Sequence, residues 1–448
     1  MKIEQFYDKG LAHASYAIVS EGKIALVDPA RDPQPYYDFA KAHNAEIVAV
    51  FETHPHADFV SSHLEIANAT GSTIYVSKLL GADYEHQAFD DGDEVKLGKI
   101  TLRAINTPGH SPDSITILLL DENGKQHAAF TGDALFVGDV GRPDLRENVG
   151  NMKAKREELA RQMYETTNKV FKKLEKDVLV YPAHGAGSLC GKSLSADTYS
   201  TIGRELETNY ALQDMSESEF IKTLLEDQPF IPKYFGYDVT LNKAGADSFE
   251  ESIQAVPRLA PDTNLETGVL VVDTRPQAQY KKGHLPNSIN IQEGGKFETW
   301  LGSIVGPDEQ FYLIAENEQV LESVIRKAAK IGYEKNIKGA LPTPSELPAT
   351  SLAADVEAFR LNPDAYTIVD IRNTGEVKAG KIFEDAIAIP LPELRERKHE
   401  IPQNKPVMVH CAGGYRSAAG QSILEEDFKV EVYDLSDAIT TFSQVTQH

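Results

Sequence analysis

Short apolar runs that end in polar loops recur along the first half of the chain. Four of them lead into a loop that carries histidine or aspartate, namely EIVAVF (46–51), KITLRAI (99–105), QHAAF (126–130) and DVLVY (177–181). Such runs are typical of β-strands. Leu97-Gly98-Lys99 and Asn123-Gly124 indicate hairpins, and the polar-apolar period over 153–174 is helical. We therefore predict a mixed-sheet domain with helices packed on it, over residues 1–245.

An internal repeat follows this domain. Residues 269–291 match residues 366–389, because in each segment a buried run ends in Asp-x-Arg and a glycine comes ten residues after the aspartate. Each copy alternates strands with helices, which predicts a small parallel α/β domain. We place these domains at 246–345 and 349–448. A stretch rich in Pro, Gly and Ser/Thr, GALPTPSELPAT (339–350), is the predicted linker.

Composition and charge exclude several classes of function. The chain has 448 residues, enough for roughly two to four domains. Its 68 acidic and 45 basic side chains give a net charge of -23, which repels nucleic acids and anionic membranes. The apolar run ITILLL (115–120) is only strand-sized, and MKIEQFYDKG lacks the apolar region of a signal peptide. We expect a cytoplasmic protein, with no nucleic-acid or membrane partner, whose two cysteines are thiols.

Six side chains at strand ends are candidate metal ligands. His54, His56 and Asp58 alternate in ETHPHAD (52–58), and the later motifs PGH, TGD and PAHG add His110, Asp133 and His184. Imidazoles and carboxylates that arrive from several strand ends can converge on one metal ion. The alternative is a set of unrelated loop histidines that cap strands. We expect His63, further along, to be a packed or capping histidine.

These motifs, in this order, resemble those of the metallo-β-lactamase superfamily over about residues 1–245. The resemblance implies an αββα sandwich with a metal site along one edge of its two sheets. The common form of the first motif, HxHxDH, serves two metals in glyoxalase II-type thioester hydrolases. Here Phe59 stands in place of the last histidine, so a second metal site would lose a ligand. Two-metal hydrolysis is correspondingly disfavoured.

Within the superfamily, the sequence resembles the persulfide dioxygenase branch most. That resemblance implies that His54, His110 and Asp133 bind one Fe(II). It also implies that His56, Asp58 and His184 surround this site and hold imidazole tautomers and substrate in place. Two histidines and one carboxylate leave positions open on iron for O2 and a substrate sulfur. Zinc would accept the same ligands but cannot pass electrons to O2.

Three further residues near the predicted site have two interpretations each. Arg142, in GDVGRPDLR (138–146), either binds a substrate carboxylate or phosphate or belongs to a turn tied to Asp144. Tyr181 either directs its hydroxyl toward the site, as a substrate-binding residue, or ends a buried strand. Cys190, six residues beyond His184, is either a small apolar residue or a second persulfide-holding catalytic thiol.

A second candidate site is the loop CAGGYR (411–416), which follows the apolar run VMVH (407–410). Its glycines let consecutive backbone N–H groups converge, and with Arg416 beside a helix start they favour an anion. A thiolate at Cys411 would have a lowered pKa there. The loop resembles the active-site loop of rhodanese sulfurtransferases. This implies Cys411 and Arg416 as catalytic residues, and substrate contacts from Ala412, Gly413, Gly414 and Tyr415.

The two copies of the repeat differ in their predicted activity. The first keeps GHLPNS (283–288) but reads AENEQV (315–320) where the loop should be, and it has no cysteine. It resembles a catalytically dead rhodanese, for which we expect a role as spacer or docking element. The second copy reads GKIFEDA (380–386) where the family has Gly-His-Ile-Pro, but it retains the loop.

The complete order resembles fusions of a persulfide dioxygenase with an inactive and an active rhodanese domain. This implies an enzyme of sulfide detoxification that oxidises low-molecular-weight thiol persulfides with O2 to sulfite. Cys411 would then pass sulfur to sulfite and form thiosulfate. A homo-oligomer is expected. The alternatives are a glyoxalase II-like thioester hydrolase with a fused sulfurtransferase, and a non-catalytic sulfur carrier.

The identity of the thiol that carries the persulfide is left open by the sequence. Coenzyme A, cysteine, glutathione and bacillithiol are all compatible with it. The basic segment KAKREELAR (153–161) is a candidate contact for an anionic thiol.

Overall fold

A computed structural model describes residues 1–145 and 156–443. Residue 146, which ends the segment GDVGRPDLR, and residues 153–155, which begin the segment KAKREELAR, lie outside the described residues. The chain forms two compact units. One comprises Met1–Ser252 with Ala329–Gly332, and the other comprises Ile253–Ala328 with the chain from Tyr333 onward. The bounds of the three domains proposed from the sequence, 1–245, 246–345 and 349–448, stay predictions.

Two six-stranded sheets form the first unit. The first sheet contains, in spatial order, β1 (Lys2–Asp8), β2 (His13–Ser20), β3 (Lys23–Val27), β4 (Glu46–Phe51), β5 (Thr73–Val76) and β6 (Gln87–Ala88). The second contains β7 (Glu94–Leu97), β8 (Ile100–Asn106), β9 (Ile115–Leu120), β10 (Gln126–Gly132), β11 (Leu179–Pro182) and β12 (Ser200–Thr201). Strands β3 to β6 pair in parallel, as do β10 and β11, and the other neighbours are antiparallel.

Helices accompany these two sheets. They are α1 (Gln34–Ala42), α2 (His63–Thr70), α3 (Arg156–Lys169), α4 (Ile202–Thr208), α5 (Glu217–Leu225) and α6 (Phe235–Ala244). The next helix, α7 (Phe249–Ala255), begins in this unit and ends in the second. The central core lies between the sheets and includes Tyr16, Phe51 and Phe130. Residues that point the other way pack against helices, as Leu26 does with Tyr36 of α1. Side chains point alternately to the two faces of a strand. Each sheet therefore packs apolar residues against the other sheet on one face and against helices on the other. The predicted αββα sandwich is confirmed.

The strands and hairpins predicted in this unit are confirmed, with small differences at their ends. The strand expected over 177–181 begins at Leu179, and the one expected over 99–105 extends to Asn106. The two hairpin signals join antiparallel pairs, β7 with β8 and β9 with β10. The long predicted helix is described from Arg156 and ends at Lys169, before a 3₁₀ turn at Phe171–Lys173.

The second unit contains two parallel sheets. The first has the order β14-β13-β15-β16, formed by β13 (Leu270–Asp273), β14 (Ser288–Asn290), β15 (Phe311–Ala315) and β16 (Ile337–Pro342). The other has the order β17-β21-β20-β18-β19, formed by β17 (Leu352–Ala353), β18 (Thr367–Asp370), β19 (Ile387–Ala388), β20 (Val407–His410) and β21 (Val432–Asp434). Four strands correspond in the same order, which confirms two related parallel α/β copies.

The helices of this unit lie between the strands in sequence. They are α8 (Gln277–Tyr280), α9 (Phe297–Ile304), α10 (Glu318–Ala329), α11 (Val356–Leu361), α12 (Thr374–Ala379), α13 (Leu394–Arg397), α14 (Tyr415–Glu425) and α15 (Thr440–Ser443). The predicted linker at 339–350 is wrong at its beginning, because Gly339–Pro342 belong to β16, where Ala340 and Leu341 are buried. Among the described residues, no helix is both long and apolar enough to span a membrane.

The Asp-x-Arg signature makes the same contacts in both copies. Arg275 donates from Nη2 to Asp273 Oδ2 at 2.5 Å and to the carbonyl of Gly283 at 2.9 Å. Arg372 donates to Asp370 Oδ2 at 2.6 Å and to the carbonyl of Gly380 at 3.0 Å. A guanidinium fork satisfies the carboxylate and the carbonyl together. The glycine thus comes ten residues after the aspartate because the arginine links the two, and so links the strand end to the turn after the next helix.

Candidate metal centre and thiol loop

The six predicted ligand residues come together at one edge of the sandwich. His54 follows β4, His110 follows β8, Asp133 follows β10 and His184 follows β11. These four side chains are buried, as are His56 and Asp58. Residues distant in the chain therefore meet because the strands that precede them end at the same edge.

The carboxylate of Asp133 lies at the centre of the group. Its Oδ2 is 3.8 Å from Nε2 of His54 and 3.5 Å from Nε2 of His110. Its Oδ1 is 3.6 Å from Nε2 of His184. Neither oxygen accepts a well-formed hydrogen bond from the residues that the structure describes. Burial of a carboxylate without hydrogen-bond donors is energetically costly, and a bound cation would offset that cost.

Hydrogen bonds on the far side of each imidazole determine its tautomer. His110 Nδ1 is 2.9 Å from the carbonyl oxygen of Arg142, and His184 Nδ1 is 3.3 Å from that of Ala12. Thr53 donates its hydroxyl to Asp28 at 2.8 Å, so its oxygen accepts from His54 Nδ1 at 3.0 Å. Because carbonyl oxygens only accept, the protons lie on Nδ1 and the Nε2 lone pairs remain for a metal.

Charges in the site favour a positive ion as well. Burial lowers the pKa of His184, but Asp133 and Asp58 outweigh it and raise that pKa to about 9. The negative field that stabilises a proton on this imidazole would equally stabilise a metal cation. His54, His110 and Asp133 offer ligand atoms that all lie within 4.8 Å of one another, so the residues fit a metal ion.

A second group with ligand spacing lies beside the first. His56, Asp58 and His184 also offer atoms within 4.8 Å of one another. His184 Nε2 is 3.4 Å from Asp58 Oδ1, and His56 Nε2 is 3.1 Å from Asp28 Oδ1 and 3.8 Å from Glu52 Oε2. The supporting roles of His56, Asp58 and His184 stay predictions. The acidic pair of Asp28 and Glu52 that orients His56 was not identified from the sequence.

Phe59 fills the space where the superfamily motif has a histidine. Its buried ring packs at a tilt against His56, with centroids 4.4 Å apart, and against His13, with centroids 3.7 Å apart. Burial, then the neighbouring His184 and His56, lower the pKa of His13 well below its usual value, so this imidazole is neutral. Sequence reasoning missed His13, which begins β2 outside any recognisable motif. The apolar ring of Phe59 thus contributes packing where a ligand would stand.

Two residues predicted to bind substrate, Arg142 and Tyr181, make contacts within the protein. Arg142 donates to both oxygens of Asp144, at 2.6 and 2.7 Å, and to the carbonyls of Leu189 and Phe230. Its buried guanidinium is engaged within the protein, as in the turn that the sequence offered as the alternative. Tyr181 packs against the central core, stacked on Phe130 at 5.5 Å. The substrate contacts proposed for Arg142 and Tyr181 stay predictions.

Gly141 offers a local test of the metal centre. Its N–H donates to the carbonyl of Asp133 at 2.9 Å, and a methyl group on Gly141 would overlap that oxygen and stand 2.8 Å from His110 Nδ1. We expect Gly141→Ala to displace these two ligands and to lower bound metal per chain by about tenfold. The measurement is elemental analysis of purified protein. Gly375→Ala is the control, because nothing lies within 4 Å of its new methyl group; equal metal content in the two variants would contradict the site.

Cys190 is buried beside the candidate metal centre. Its sulfur, an oxygen of Asp133 and a nitrogen of His184 lie within 4.8 Å of one another. Burial, together with the charges of Asp58 and Asp133, raises the pKa of Cys190 well above its usual value. The structure therefore brings this residue to the site as a protonated thiol, which is a weak nucleophile. Its role as a persulfide-holding residue stays a prediction.

The thiol loop has the form that the sequence predicts. Cys411 follows β20, and its buried Sγ accepts the N–H of Gly414 at 3.1 Å. Gly414 has a φ of +93°, and a Cβ there would stand 2.7 Å from the backbone of Ser436, so only glycine suits this position. Arg416 is held beside the loop by Glu376, to which it donates twice, at 2.5 and 2.7 Å. Glu376, in a different helix, was not identified from the sequence.

Sequence comparisons match the two parts of the chain separately. The metallo-beta-lactamase superfamily matches residues 8–184, and the rhodanese-like domain matches 262–339 and 353–444. The mitochondrial persulfide dioxygenase ETHE1 of Homo sapiens is 29% identical over 204 residues, which cover 45% of this chain and 71% of that protein. The cytoplasmic hydroxyacylglutathione hydrolase of Arabidopsis thaliana is 32% identical over 174 residues, which cover 38% of this chain and 62% of that protein.

A solved structure is similar over a longer stretch. The metallo-beta-lactamase from Staphylococcus aureus subsp. aureus COL is 33% identical, with a TM-score of 0.70, and the alignment covers 76% of this chain and 99% of that one. The chain belongs to the metallo-β-lactamase superfamily. Within it, the chain has the architecture of a fusion, in which the metal-binding domain is followed by two rhodanese-like copies.

Proposed function

We propose that this chain is a non-haem Fe(II) persulfide dioxygenase fused to a rhodanese sulfurtransferase. The persulfide dioxygenase homologues and the rhodanese-like domains support this kind of enzyme. The observation that carries the assignment to particular residues is the convergence of imidazole Nε2 atoms on the unsatisfied carboxylate of Asp133. His54, His110 and Asp133 would bind the iron, and Cys411 would carry the transferable sulfur.

The iron would supply electrons to O2 and open positions for the substrate sulfur. The chain's own residues orient and enclose the site. Thr53 and the carbonyl of Arg142 hold the imidazoles of His54 and His110 in the tautomer that leaves Nε2 free of a proton. Phe59 and the neutral His13 stack beside His56 and exclude water from that side.

Each of the two sites would carry out one reaction. A thiol persulfide, O2 and water would give the free thiol, sulfite and two protons. At the second site, a persulfide would pass its outer sulfur to Cys411, and sulfite would accept that sulfur to give thiosulfate and the free cysteine. The partners are then a low-molecular-weight persulfide, O2 and sulfite, and the setting is detoxification of sulfide in the cytoplasm by a homo-oligomer.

Oxygen consumption tests this function directly. We expect the iron-loaded protein to consume O2 only when a thiol persulfide is added, and a panel of coenzyme A, cysteine, glutathione and bacillithiol persulfides would identify the substrate. Chelation of the metal should abolish the uptake. A flat oxygen trace with rapid hydrolysis of S-lactoylglutathione would instead establish the alternative, a glyoxalase II-like hydrolase.

A second group of possible metal ligands is compatible with the hydrolase alternative. His56, Asp58 and His184 form a second group with ligand spacing, as a two-metal hydrolase requires. Phe59 occupies the place of a further ligand, and its ring packs against two imidazoles. We therefore favour the single metal at His54, His110 and Asp133, and one metal ion per chain is the expected stoichiometry.

A further inference from the structure

A cavity of about 520 Å³ opens at Cys411, and both copies of the repeat line it. The second copy contributes Cys411, Gly413, Tyr415 and Arg416. The first copy, which has no cysteine, contributes Gly295, Lys296 and Trp300. The first copy therefore contributes to the wall of this cavity, and its expected role as a spacer or docking element stays a prediction.

Hydrogen bonds fasten the first copy to the thiol loop and to the helix that follows. Tyr415 donates its hydroxyl to the carbonyl of Gln292 at 2.5 Å. Gln277 donates to the carbonyl of Gly414 at 3.4 Å. The backbone N–H of Asn290 donates to the hydroxyl of Ser422 in α14 at 3.0 Å. The segment that carries Lys296 and Trp300 is thereby positioned against the reactive cysteine.

The charged side chains that line this cavity are both cations, Lys296 and Arg416. Arg416 is already paired with Glu376 through two hydrogen bonds, so much of its charge is balanced. Its guanidinium lies 5.8 Å from the centroid of the Trp300 ring, which places the indole beside the loop. In a chain with a net charge of -23, a cavity with this lining is a local site for an anion.

We propose that Lys296 and Trp300 form the subsite that holds sulfite for sulfur transfer from Cys411. This inference rests on the proposed function, because it assigns the acceptor to a particular wall of the cavity. The lone pair on the sulfur of sulfite forms a bond to the outer sulfur of the Cys411 persulfide. The bond between that sulfur and Sγ breaks, and Cys411 leaves as a thiolate with the electron pair.

The transfer needs no further oxidant or reductant. Sulfite sulfur is formally oxidised by two electrons and the transferred sulfur is reduced by two, and the proton of the outer sulfur is released from the product to water. The N–H of Gly414, 3.1 Å from Sγ, stabilises the thiolate that leaves. Lys296 offsets the charge of the sulfite dianion, and Trp300 lines the subsite beside it.

The test compares two acceptors on persulfide-loaded protein. We expect Lys296→Gln to lower the ratio of the rate constants for sulfite and for the neutral thiol dithiothreitol by about tenfold, as the loss of one nearby charge predicts. Lys282→Gln, which removes an exposed lysine of the same copy that does not line the cavity, should keep the wild-type ratio. A wild-type ratio in Lys296→Gln would overturn the proposal.

Binding can be measured without any turnover. Trp300 is the single tryptophan of the chain, so its fluorescence reports on this cavity alone. When sulfite is added to the unloaded protein, the fluorescence emission of Trp300 should change and then level off as the site fills. Lys296→Gln should raise the sulfite concentration at half-saturation about tenfold. The same half-saturation in both proteins, or no change in wild-type emission, counts against the subsite. A protein that binds sulfite in this way but transfers no sulfur would refute the role of Cys411 instead.

Discussion

Asp133→Asn is expected to lower persulfide-dependent O2 uptake by more than about 100-fold, because even residues outside the ligand set cost about 10- to 100-fold. Asparagine keeps the size of the side chain but removes the charge that lies among the Nε2 atoms of His54, His110 and His184. The iron content of the purified protein should fall together with the uptake. The measurements are an oxygen-electrode assay and elemental analysis on the same preparation.

The control for this variant is Asp91→Asn, which changes an exposed aspartate of the same unit. It should retain both iron and O2 uptake. Sulfur transfer from thiosulfate to cyanide should be equal in wild type and in Asp133→Asn, because Cys411 belongs to the other unit. Full O2 uptake in Asp133→Asn would show that the metal is held elsewhere or that the activity does not need it.

Cys411→Ser should abolish sulfur transfer and change the product of persulfide oxidation from thiosulfate to sulfite. A hydroxyl cannot carry a transferable sulfur, whereas the thiol beside the Gly414 N–H can. O2 uptake should be that of the wild type. Separation of the sulfur oxyanions by ion chromatography, with O2 uptake followed in parallel, measures both effects.

The second cysteine provides the matched comparison. Cys190→Ser should still transfer sulfur from thiosulfate to cyanide, because Cys411 remains. After incubation with a persulfide, mass spectrometry should find the added sulfur on the peptide that contains Cys411. Unchanged thiosulfate production by Cys411→Ser, with the added sulfur on Cys190, would reject the two-site scheme and assign the transfer to the thiol beside the metal centre.

Strands and helices were largely predictable because their signals are local. EIVAVF became β4 without change, and the two glycine-marked turns joined antiparallel strands as expected. The linker prediction was wrong at Gly339–Pro342 because Pro and Gly are also tolerated at the end of an edge strand. Its composition could not reveal that β15 lies beside it.

The candidate ligands could be named from the sequence for a similar reason. Each of His54, His110, Asp133 and His184 follows a strand signal. The strand before His54 belongs to the first sheet and the other three belong to the second, and both sheets bring these strand ends to one edge of the sandwich. Their exact partners could not be named. The sequence allows two roles for Arg142, and only the tertiary structure shows its bonds to Asp144 and to two distant carbonyls.

From the sequence alone we predict the fold class, the order of the domains, the six candidate ligands and the candidate thiol loop at Cys411. Each prediction depends on periodicity, on motifs within a few residues, or on the families that those motifs resemble. The tertiary structure decided what surrounds them. It packed Phe59 against both His13 and His56, and it brought Lys296 and Trp300 of the cysteine-free copy to the cavity of the other copy. Contacts between segments far apart in the chain leave no local pattern, since they arise only when the strands and helices pack.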